Sequence, residues 1–247
     1  MTLANEAFEL LRPQAVSRFV LFCDHASNRV PPELNNLCLP PAELERHIAW
    51  DIGAAGITHE LSKIFDAPAV LSTMSRLVID CNRHLTAADL IPLQSDGVTI
   101  PGNASVTAEE RATRFTRWFD PYHAAVESMI ETRIAQGTPP IVVSIHSMTG
   151  NLAGVARPWQ IALSSHTDRT LADPLLAALR RPGDIVVGDN QPYNLDPAFD
   201  FSTPFHALRR NLAHIQVEFR QDEVTDEASQ IHWATRFATA LSEALPR

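Results

Sequence analysis

Short apolar runs of strand length alternate along the chain with longer stretches that carry apolar residues at helical spacing. The apolar runs are nearly continuous, which is typical of strands buried on both faces of a sheet. They predict strands at 17–23, 67–72, 140–146, 159–165, 184–190 and 214–220. The helical periods predict helices at 51–65, 107–135, 168–181 and 225–245. We therefore predict an α/β fold, with a mixed, mostly parallel sheet and helices on both faces, in a single domain that spans residues 1–247.

The predicted helix at 107–135 follows a long polar segment. Thr107 and Glu110 have the spacing of a capping box, which marks the start of the helix. Residues 84–107 are rich in turn formers, and we expect this loop to close over a pocket. The predicted buried stripe of the helix is Phe115, Trp118, Phe119, Tyr122, Val126 and Met129.

Charge and cysteine content narrow the class of protein. The formal net charge is -9 and no basic block is present, so we expect neither a nucleic acid nor a membrane as a partner. Three cysteines without paired spacing argue against a disulfide framework and favour a reducing compartment. The N-terminus lacks a basic start with an apolar run, and we expect no signal peptide. We predict a cytoplasmic protein that is a monomer or a small homo-oligomer.

Unusual polar side chains stand where predicted strands end. His25 follows the first strand, His146 ends the run at 140–146, and Glu218 lies in the last run. In open α/β sheets, ligands bind beyond the carboxyl ends of the strands, so these side chains are candidates for one site. A further polar segment, SRLVIDCNRH, contributes Arg76, Asp80, Asn82 and Arg83.

These residue types fit metal-assisted hydrolysis. Zinc hydrolases use three protein ligands and leave one position for water, whose pKa the metal lowers. His25 and His146 are the candidate ligands, and Glu218 is the candidate general base. Arg76 and Arg83 are suited to hold a substrate carboxylate, because a planar guanidinium donates two parallel hydrogen bonds. Two arginines predict an acidic substrate, such as a small N-acyl amino acid.

Each of these residues also has a structural interpretation. His25 could cap the turn that follows its strand, and His146 could be a buried histidine bonded to backbone. Glu218 could point outward from an edge strand. The arginines and Asp80 could form a structural ion-pair cluster. The sequence alone leaves both sets of interpretations open.

Several segments resemble known hydrolases. SIHSMTG and VEFRQD are similar to the SIHS and FELRD segments of zinc carboxypeptidases, and DCNR is similar to the DLNR segment of aspartoacylase-type deacylases. The chain as a whole resembles the N-formylglutamate amidohydrolase family between about residues 20 and 225. The segments that carry this resemblance are DHASNRVPPEL, SRLVIDCNR, SDGVTIPGN, DPYHAAV, SIHSMTG, NQPYN and HALRRNLAHIQVEFRQD.

The resemblance implies a fold, a reaction and a set of roles. The fold would be zinc-carboxypeptidase-like (phosphorylase/hydrolase-like), with Zn²⁺ or another divalent metal as cofactor. The reaction would be the hydrolysis of N-formyl-L-glutamate to formate and L-glutamate, the last step of one histidine-degradation route. His25 and His146 would bind the metal and Glu218 would be the catalytic base, with Arg76 acting beside it. The implied or suggested substrate contacts are Arg76, Asn82, Arg83, Ser147 and His206.

The third metal ligand is left open between two residues. Asn28 stands where carboxypeptidases have a glutamate, and an amide is a weak zinc ligand. Asp51 is the preferred candidate, although its position before a predicted helix is also that of a cap. His123 continues a helix beside its apolar stripe and is expected to be structural.

Two other functions remain open at this stage. A metallopeptidase that trims short peptides or cell-wall fragments would need a wide groove. A non-catalytic binder of acidic metabolites would have lost its metal, and Asn28 keeps this alternative open. No G-x-S-x-G segment is present, so a serine nucleophile is not supported.

Overall fold

A mixed sheet of eight strands forms the centre of the computed structural model, which describes residues 2–4 and 6–245. The other four positions of the predicted domain 1–247 lie outside the described residues. Two short two-stranded hairpins accompany the sheet. The strands are β1 (Thr2–Ala4), β2 (Phe8–Leu11), β3 (Phe19–Cys23), β4 (Ala69–Ser72), β5 (Gln94–Ser95), β6 (Val98–Thr99), β7 (Ile141–Met148), β8 (Asn151–Leu152), β9 (Val155–Ala156), β10 (Ile161–Ser164), β11 (Val187–Asp189) and β12 (His214–Arg220).

The strand order of the sheet is β1-β2-β4-β3-β7-β12-β10-β11. The pairs β4-β3, β3-β7, β7-β12 and β10-β11 are parallel, whereas β1-β2, β2-β4 and β12-β10 are antiparallel. The carboxyl ends of the four central strands β4, β3, β7 and β12 therefore meet at one edge of the sheet. The predicted mixed, mostly parallel sheet is confirmed.

Helices cover both faces of the sheet, as the continuous apolar runs predict. Helices α2 (Ala54–Ile64), α5 (Ala172–Arg180) and α7 (Glu227–Ala244) pack on one face, and α4 (Asp120–Ala135) packs on the other. Apolar side chains of β3, β4 and β7 enter both layers, whereas those of β12 enter only one layer and its other face carries polar side chains, among them Glu218. The helices are α1 (Pro41–Leu44), α2 (Ala54–Ile64), α3 (Ala108–Arg114), α4 (Asp120–Ala135), α5 (Ala172–Arg180), α6 (Ser202–His206) and α7 (Glu227–Ala244).

Each predicted strand and helix has a counterpart in the structure, with shorter bounds in most cases. Helices α3 and α4 are joined by a π-helical turn at Phe115–Phe119, and Thr107 and Glu110 form the predicted capping box. The three cysteines are unpaired, as expected. No helix of the described residues has the length and apolarity needed to cross a bilayer.

The edge strand β1 and its neighbour β2 had no counterpart in the sequence prediction. Strand β2 pairs antiparallel with β4, and it buries Leu10 and Leu11 while Glu9 remains partly exposed. An acidic residue within a run of only four residues weakens the apolar pattern. This segment therefore becomes a strand because it pairs with the sheet, and its local sequence does not predict it.

The start of α2 depends on a glycine, and a substitution there should destabilise the protein. Gly53 has φ +82°, and a Cβ atom at this position would lie 2.5 Å from Cγ2 and 2.6 Å from the carbonyl oxygen of Val224. We expect Gly53→Ala to lower the free energy of unfolding by about 2–4 kcal/mol, because it combines backbone strain with a clash. Urea denaturation measures this change.

Gly137→Ala is the matched control for Gly53→Ala. Gly137 has φ +75°, but a Cβ atom there would meet nothing within 4 Å. The control should therefore lose only about 1 kcal/mol, from backbone strain alone. Equal losses in the two variants would show that the contact with Val224 does not matter.

Candidate active site

A cavity of about 350 Å³ lies at the edge where the central parallel strands end. Its position is the one that open α/β sheets use for ligands. Of the nine residues predicted for the site, eight line this cavity. They are His25, Asp51, Arg76, Asn82, Arg83, His146, Ser147 and Glu218.

The strand period explains how two distant segments meet in the cavity. In the parallel pair of β7 and β12, Glu218 lies opposite His146 and Gln216 lies opposite Ser144. Side chains two residues apart point to the same face of a strand, so these four share one face. Strand β12 lies between β7 and β10, so the alternative that Glu218 projects from an edge strand is wrong.

Two histidines and one aspartate converge within the cavity. Nδ1 of His146 is 2.9 Å and Nδ1 of His25 is 3.3 Å from Oδ2 of Asp51, and all three residues are buried. One potential ligand atom from each lies within 4.8 Å of the others. Asn28 donates instead to the carbonyl of Leu44 at 3.0 Å and does not line the cavity. Of the two candidate third ligands, only Asp51 joins the histidines.

Two further carboxylates hold the other ring nitrogens. Nε2 of His25 is 2.8 Å from Oδ1 of Asp80, whereas Nε2 of His146 lies 3.0 Å from the Ser144 hydroxyl and within ion-pair distance, 3.3 Å, of Oδ2 of Asp24. Metal-binding histidines commonly have their second nitrogen bonded to a carboxylate, which fixes the ring and makes it a better ligand. With both Nε2 atoms held, the Nδ1 atoms face Asp51. Two imidazoles and a carboxylate are a donor set that suits zinc, so the residues present fit the implied metal.

Tyr122 and Ser202 fix Asp24 in place. The Tyr122 hydroxyl donates to Oδ1 of Asp24 at 2.8 Å, and the Ser202 hydroxyl donates to the same oxygen at 2.6 Å. All three residues are buried. The sequence prediction had placed Tyr122 in an apolar stripe and had given Asp24 no role. The position of Asp24 directly before His25 was the feature of the sequence that could have indicated its role.

Burial and charge act against each other at the three converging residues. Burial disfavours the charged imidazolium of His146, but hydrogen bonds to Asp24 and Asp51 outweigh it and raise the pKa of His146 well above its ordinary value. The pKa of His25 is also raised, because Asp80 and Asp51 outweigh burial and the charge of Arg76. The pKa of Asp51 is lowered, because the two histidines outweigh burial. The site therefore favours an ionised Asp51 and positive charge beside it.

Glu218 has a different environment from the other carboxylates. Its side chain is buried, and among the residues that the structure describes none forms a hydrogen bond or ion pair with it. Burial raises the pKa of Glu218 to about 7, although the nearby histidines act in the opposite direction. A carboxylate with a pKa near neutrality is suited to accept and return a proton.

The predicted arginines line the cavity but are largely engaged by the protein. Nη2 of Arg76 is 2.8 Å from Oδ2 of Asp80, and its Nη1 is 3.6 Å from Oδ1 of Asp51. Nε of Arg83 donates to Asp89 at 2.7 Å. The ion-pair interpretation therefore holds for Arg76 with Asp80, whereas Arg83 pairs with Asp89 instead. Both arginines still line the cavity.

Asn82 and Ser147 have structural partners as well as a place in the cavity wall. The Asn82 carbonyl accepts from the backbone N–H groups of Phe201 and Ser202, both at 3.0 Å, and its amide donates to Asp200 at 3.1 Å. The Ser147 hydroxyl donates to the carbonyl of Ile52 at 2.8 Å. Both side chains hold segments of the wall in position.

His206 is the one predicted site residue that the structure places away from the cavity. Its side chain is completely buried in α6, and its Nε2 lies 2.9 Å from Nδ1 of His123. His123 in turn bonds the carbonyl of Cys81 at 2.9 Å, in agreement with its expected structural role. The His206 ring packs against Phe22, so the predicted contact of His206 with substrate is not available in this arrangement.

The cavity is covered by a different loop from the one expected. None of the residues from 84–107 lines it; the segment between β11 and α6 does, together with residues next to the hairpin of β8 and β9. This covering places Tyr193 and Arg157 in the wall, and neither was predicted as a site residue. The NQPYN segment was noted only for its family resemblance, which was the available signal for Tyr193.

Comparison with known proteins finds one family and related folds. The family model described as N-formylglutamate amidohydrolase matches residues 17–225. The crystal structure of a gene product of Agrobacterium tumefaciens has 32% identity and a TM-score of 0.92, over 97% of this chain and 95% of that one. The N-formylglutamate amidohydrolase of Ralstonia eutropha JMP134 has 19% identity and a TM-score of 0.66, over 96% and 94% of the chains, which shows a shared fold. No curated protein matches the chain.

Proposed function

Because the chain belongs to the N-formylglutamate amidohydrolase family, we propose that it hydrolyses N-formyl-L-glutamate to formate and L-glutamate. The observation that carries this proposal is the position of Glu218, a buried carboxylate with a raised pKa, in the cavity where His25, Asp51 and His146 converge. This combination provides a general base beside a candidate cation site. It fits the hydrolysis of an amide better than simple binding.

We propose Zn²⁺, or another divalent cation, as the cofactor, held by His25, Asp51 and His146. When bound there, the cation would lower the pKa of a water molecule and polarise the formyl carbonyl. The support for it is the donor set and the two carboxylates, Asp24 and Asp80, behind the histidines. These outer carboxylates fit a site built to keep both Nδ1 atoms turned inward.

In the proposed reaction, Glu218 takes a proton from the attacking water, whose oxygen bonds to the formyl carbon. The C–N bond then breaks, and Glu218 returns the proton to the departing amine. Arg76 supplies positive charge toward the carbonyl oxygen as negative charge develops on it. We propose that Arg83 assists in holding a substrate carboxylate, and that Asn82 and Ser147 keep the surrounding wall in place. The substrate is then a small, acidic N-acyl amino acid.

The size of the cavity favours this substrate over a peptide. A volume of about 350 Å³ is at the small end for ligand pockets, which range from about 300 to 1,000 Å³. A metallopeptidase acting on cell-wall fragments would be expected to have a longer groove. A non-catalytic binder has less support, because Asp51 supplies the carboxylate that Asn28 lacks.

Four statements stay predictions: that the protein is cytoplasmic, that it is a monomer or a small homo-oligomer, that residues 1–247 form a single domain, and that it acts in histidine degradation.

A hydrolysis screen tests the proposed function directly. Purified protein, loaded with zinc or treated with a chelator, is offered N-formyl, N-acetyl and N-succinyl derivatives of glutamate, aspartate and leucine. We expect release of glutamate from the N-formyl derivative by the zinc-loaded protein only. If zinc-loaded protein leaves every one of these amides intact, the proposed function is wrong.

A further inference from the structure

Arg157 has an environment that no other arginine of the cavity shares. The residue lines the cavity and is only 8% exposed. Whereas Arg76 pairs with Asp80 and Arg83 pairs with Asp89, no carboxylate of residues 2–4 and 6–245 lies within ion-pair distance of Arg157. Its guanidinium makes one hydrogen bond to a described side chain, from Nη2 to the hydroxyl of Tyr193 at 2.8 Å.

A buried guanidinium without an anionic partner is costly, because burial removes its hydration and nothing replaces it. An arginine stays protonated at every physiological pH, so it cannot avoid this cost by losing its charge. The partner is therefore expected to come from the ligand. The planar group has further N–H donors that can form two parallel hydrogen bonds with one carboxylate.

The protein holds Arg157 and Tyr193 in a fixed relation. The hairpin of β8 and β9 ends at Arg157, whose N–H donates to the carbonyl of Gly150 at 2.9 Å. The carbonyl of Tyr193 accepts a hydrogen bond from the hydroxyl of Ser164, at the end of β10, at 2.8 Å. Cζ of Arg157 lies 4.9 Å from the centre of the Tyr193 ring. Because the two side chains are already fixed, they lose less conformational entropy when they bind a ligand.

Arg76 and Arg157 lie at different places in the cavity, so each is expected to contact a different part of the ligand. Arg76 lies 3.6 Å from Asp51, and therefore beside the proposed reacting carbonyl. Arg157 makes no ion pair with Asp51 or Asp80, so it serves a part of the ligand farther from the reaction. In an N-formyl acidic amino acid, the α-carboxylate is three bonds from the formyl carbon and the side-chain carboxylate is farther.

We propose that Arg157, supported by Tyr193, binds the side-chain carboxylate of the substrate and so selects acidic N-formyl amino acids. This inference rests on the proposed function, and it replaces the earlier expectation that Arg76 and Arg83 together hold the substrate carboxylates. Arg157 does not act on the reacting bond in this proposal. Its contribution should therefore appear in KM and in selectivity more than in kcat.

The test compares N-formyl-L-glutamate with N-formyl-L-glutamine, whose side chain has a neutral amide in place of the carboxylate. For Arg157→Met we expect kcat/KM with the glutamate substrate to fall about 30- to 100-fold, mainly through KM. For the glutamine substrate, kcat/KM should change less than about threefold. The variant should therefore lose most of the preference for the glutamate substrate. Arg157→Lys keeps the charge but loses the planar fork, and it should recover only part of the preference.

Arg181→Met is the matched control, because Arg181 is 67% exposed, pairs with Glu243 and lies outside this cavity. This variant should keep the wild-type kcat/KM for both substrates. Circular dichroism and thermal melting show whether Arg157→Met is folded, and Arg157→Lys serves in its place if it is not. An unchanged preference for the glutamate substrate in the folded variant would overturn the inference.

Failure of the proposed function can be told apart from failure of this inference. If the wild-type protein hydrolyses neither substrate, the proposed function is wrong, and calorimetric titration with N-formyl-L-glutamate then tests Arg157 alone. Weaker binding by the Arg157 variant than by wild type would support the inference. Equal binding by the two, or no binding by wild type, would contradict it.

Discussion

Replacing Glu218 by glutamine is expected to lower kcat for N-formyl-L-glutamate by about 10²- to 10⁴-fold, the usual contribution of a general base. The amide keeps the shape of the side chain but cannot accept the proton of the attacking water. KM should change little, because Glu218 acts on the reacting bond and holds no substrate carboxylate. Steady-state kinetics on zinc-loaded protein measure both constants.

The pH dependence provides a second readout of the same substitution. Burial holds the pKa of Glu218 at about 7, and a cation beside it would lower this value. The base is deprotonated above its pKa, so activity of the wild type should fall as the pH drops through neutrality or below. In Glu218→Gln this acid limb should be absent from the residual activity.

Glu223→Gln is the matched control for Glu218→Gln. Glu223 follows the end of β12, pairs with Arg220 and does not line the cavity. This variant should retain wild-type kcat and the wild-type pH profile. A Glu218→Gln enzyme that is as active as this control would remove Glu218 from the mechanism.

The second large effect is expected from Asp51→Asn. The substitution removes the negative charge between His25 and His146 and leaves an amide, which is a weak zinc ligand. Zinc affinity should fall by more than about 100-fold, the upper range for residues that only support a ligand. Hydrolysis should fall to the level of chelator-treated wild type, and metal analysis after gel filtration should find little zinc.

Asn28→Ala is the informative control for this experiment, because Asn28 was the rival candidate for the third ligand. Its amide donates to the Leu44 carbonyl rather than facing the histidines. The variant should keep one zinc per chain. Loss of zinc from Asn28→Ala but not from Asp51→Asn would reverse the assignment.

Much of the sheet was predictable because its central strands are buried on both faces. The run at 214–220 became β12 with identical bounds, and its alternation places Ile215, Val217 and Phe219 in the apolar core. Glu218 lies on the opposite, polar face of that run. A carboxylate inside a central strand breaks the local pattern, and such breaks are expected at functional sites.

The parts of the site that the sequence left open or missed depend on contacts between distant segments. Asp51 meets His146 across 95 positions, and no local pattern distinguishes this from a helix cap. His206 matched a family segment, but local sequence did not show that α6 turns it toward His123. The loop at 84–107 was expected over the cavity on length alone, whereas packing placed the 190–201 segment there. Arg157 stands out only when it is known that no carboxylate in the described part of the chain pairs with it.

The central claim is that His25, Asp51 and His146 hold one cation beside Glu218. Crystals of zinc-loaded protein, with anomalous diffraction recorded at the zinc absorption edge, test it most directly. We predict one anomalous peak per chain, at about 2.0–2.2 Å from Nδ1 of His25, Nδ1 of His146 and a carboxylate oxygen of Asp51. A zinc peak elsewhere with none between these three residues would contradict the account.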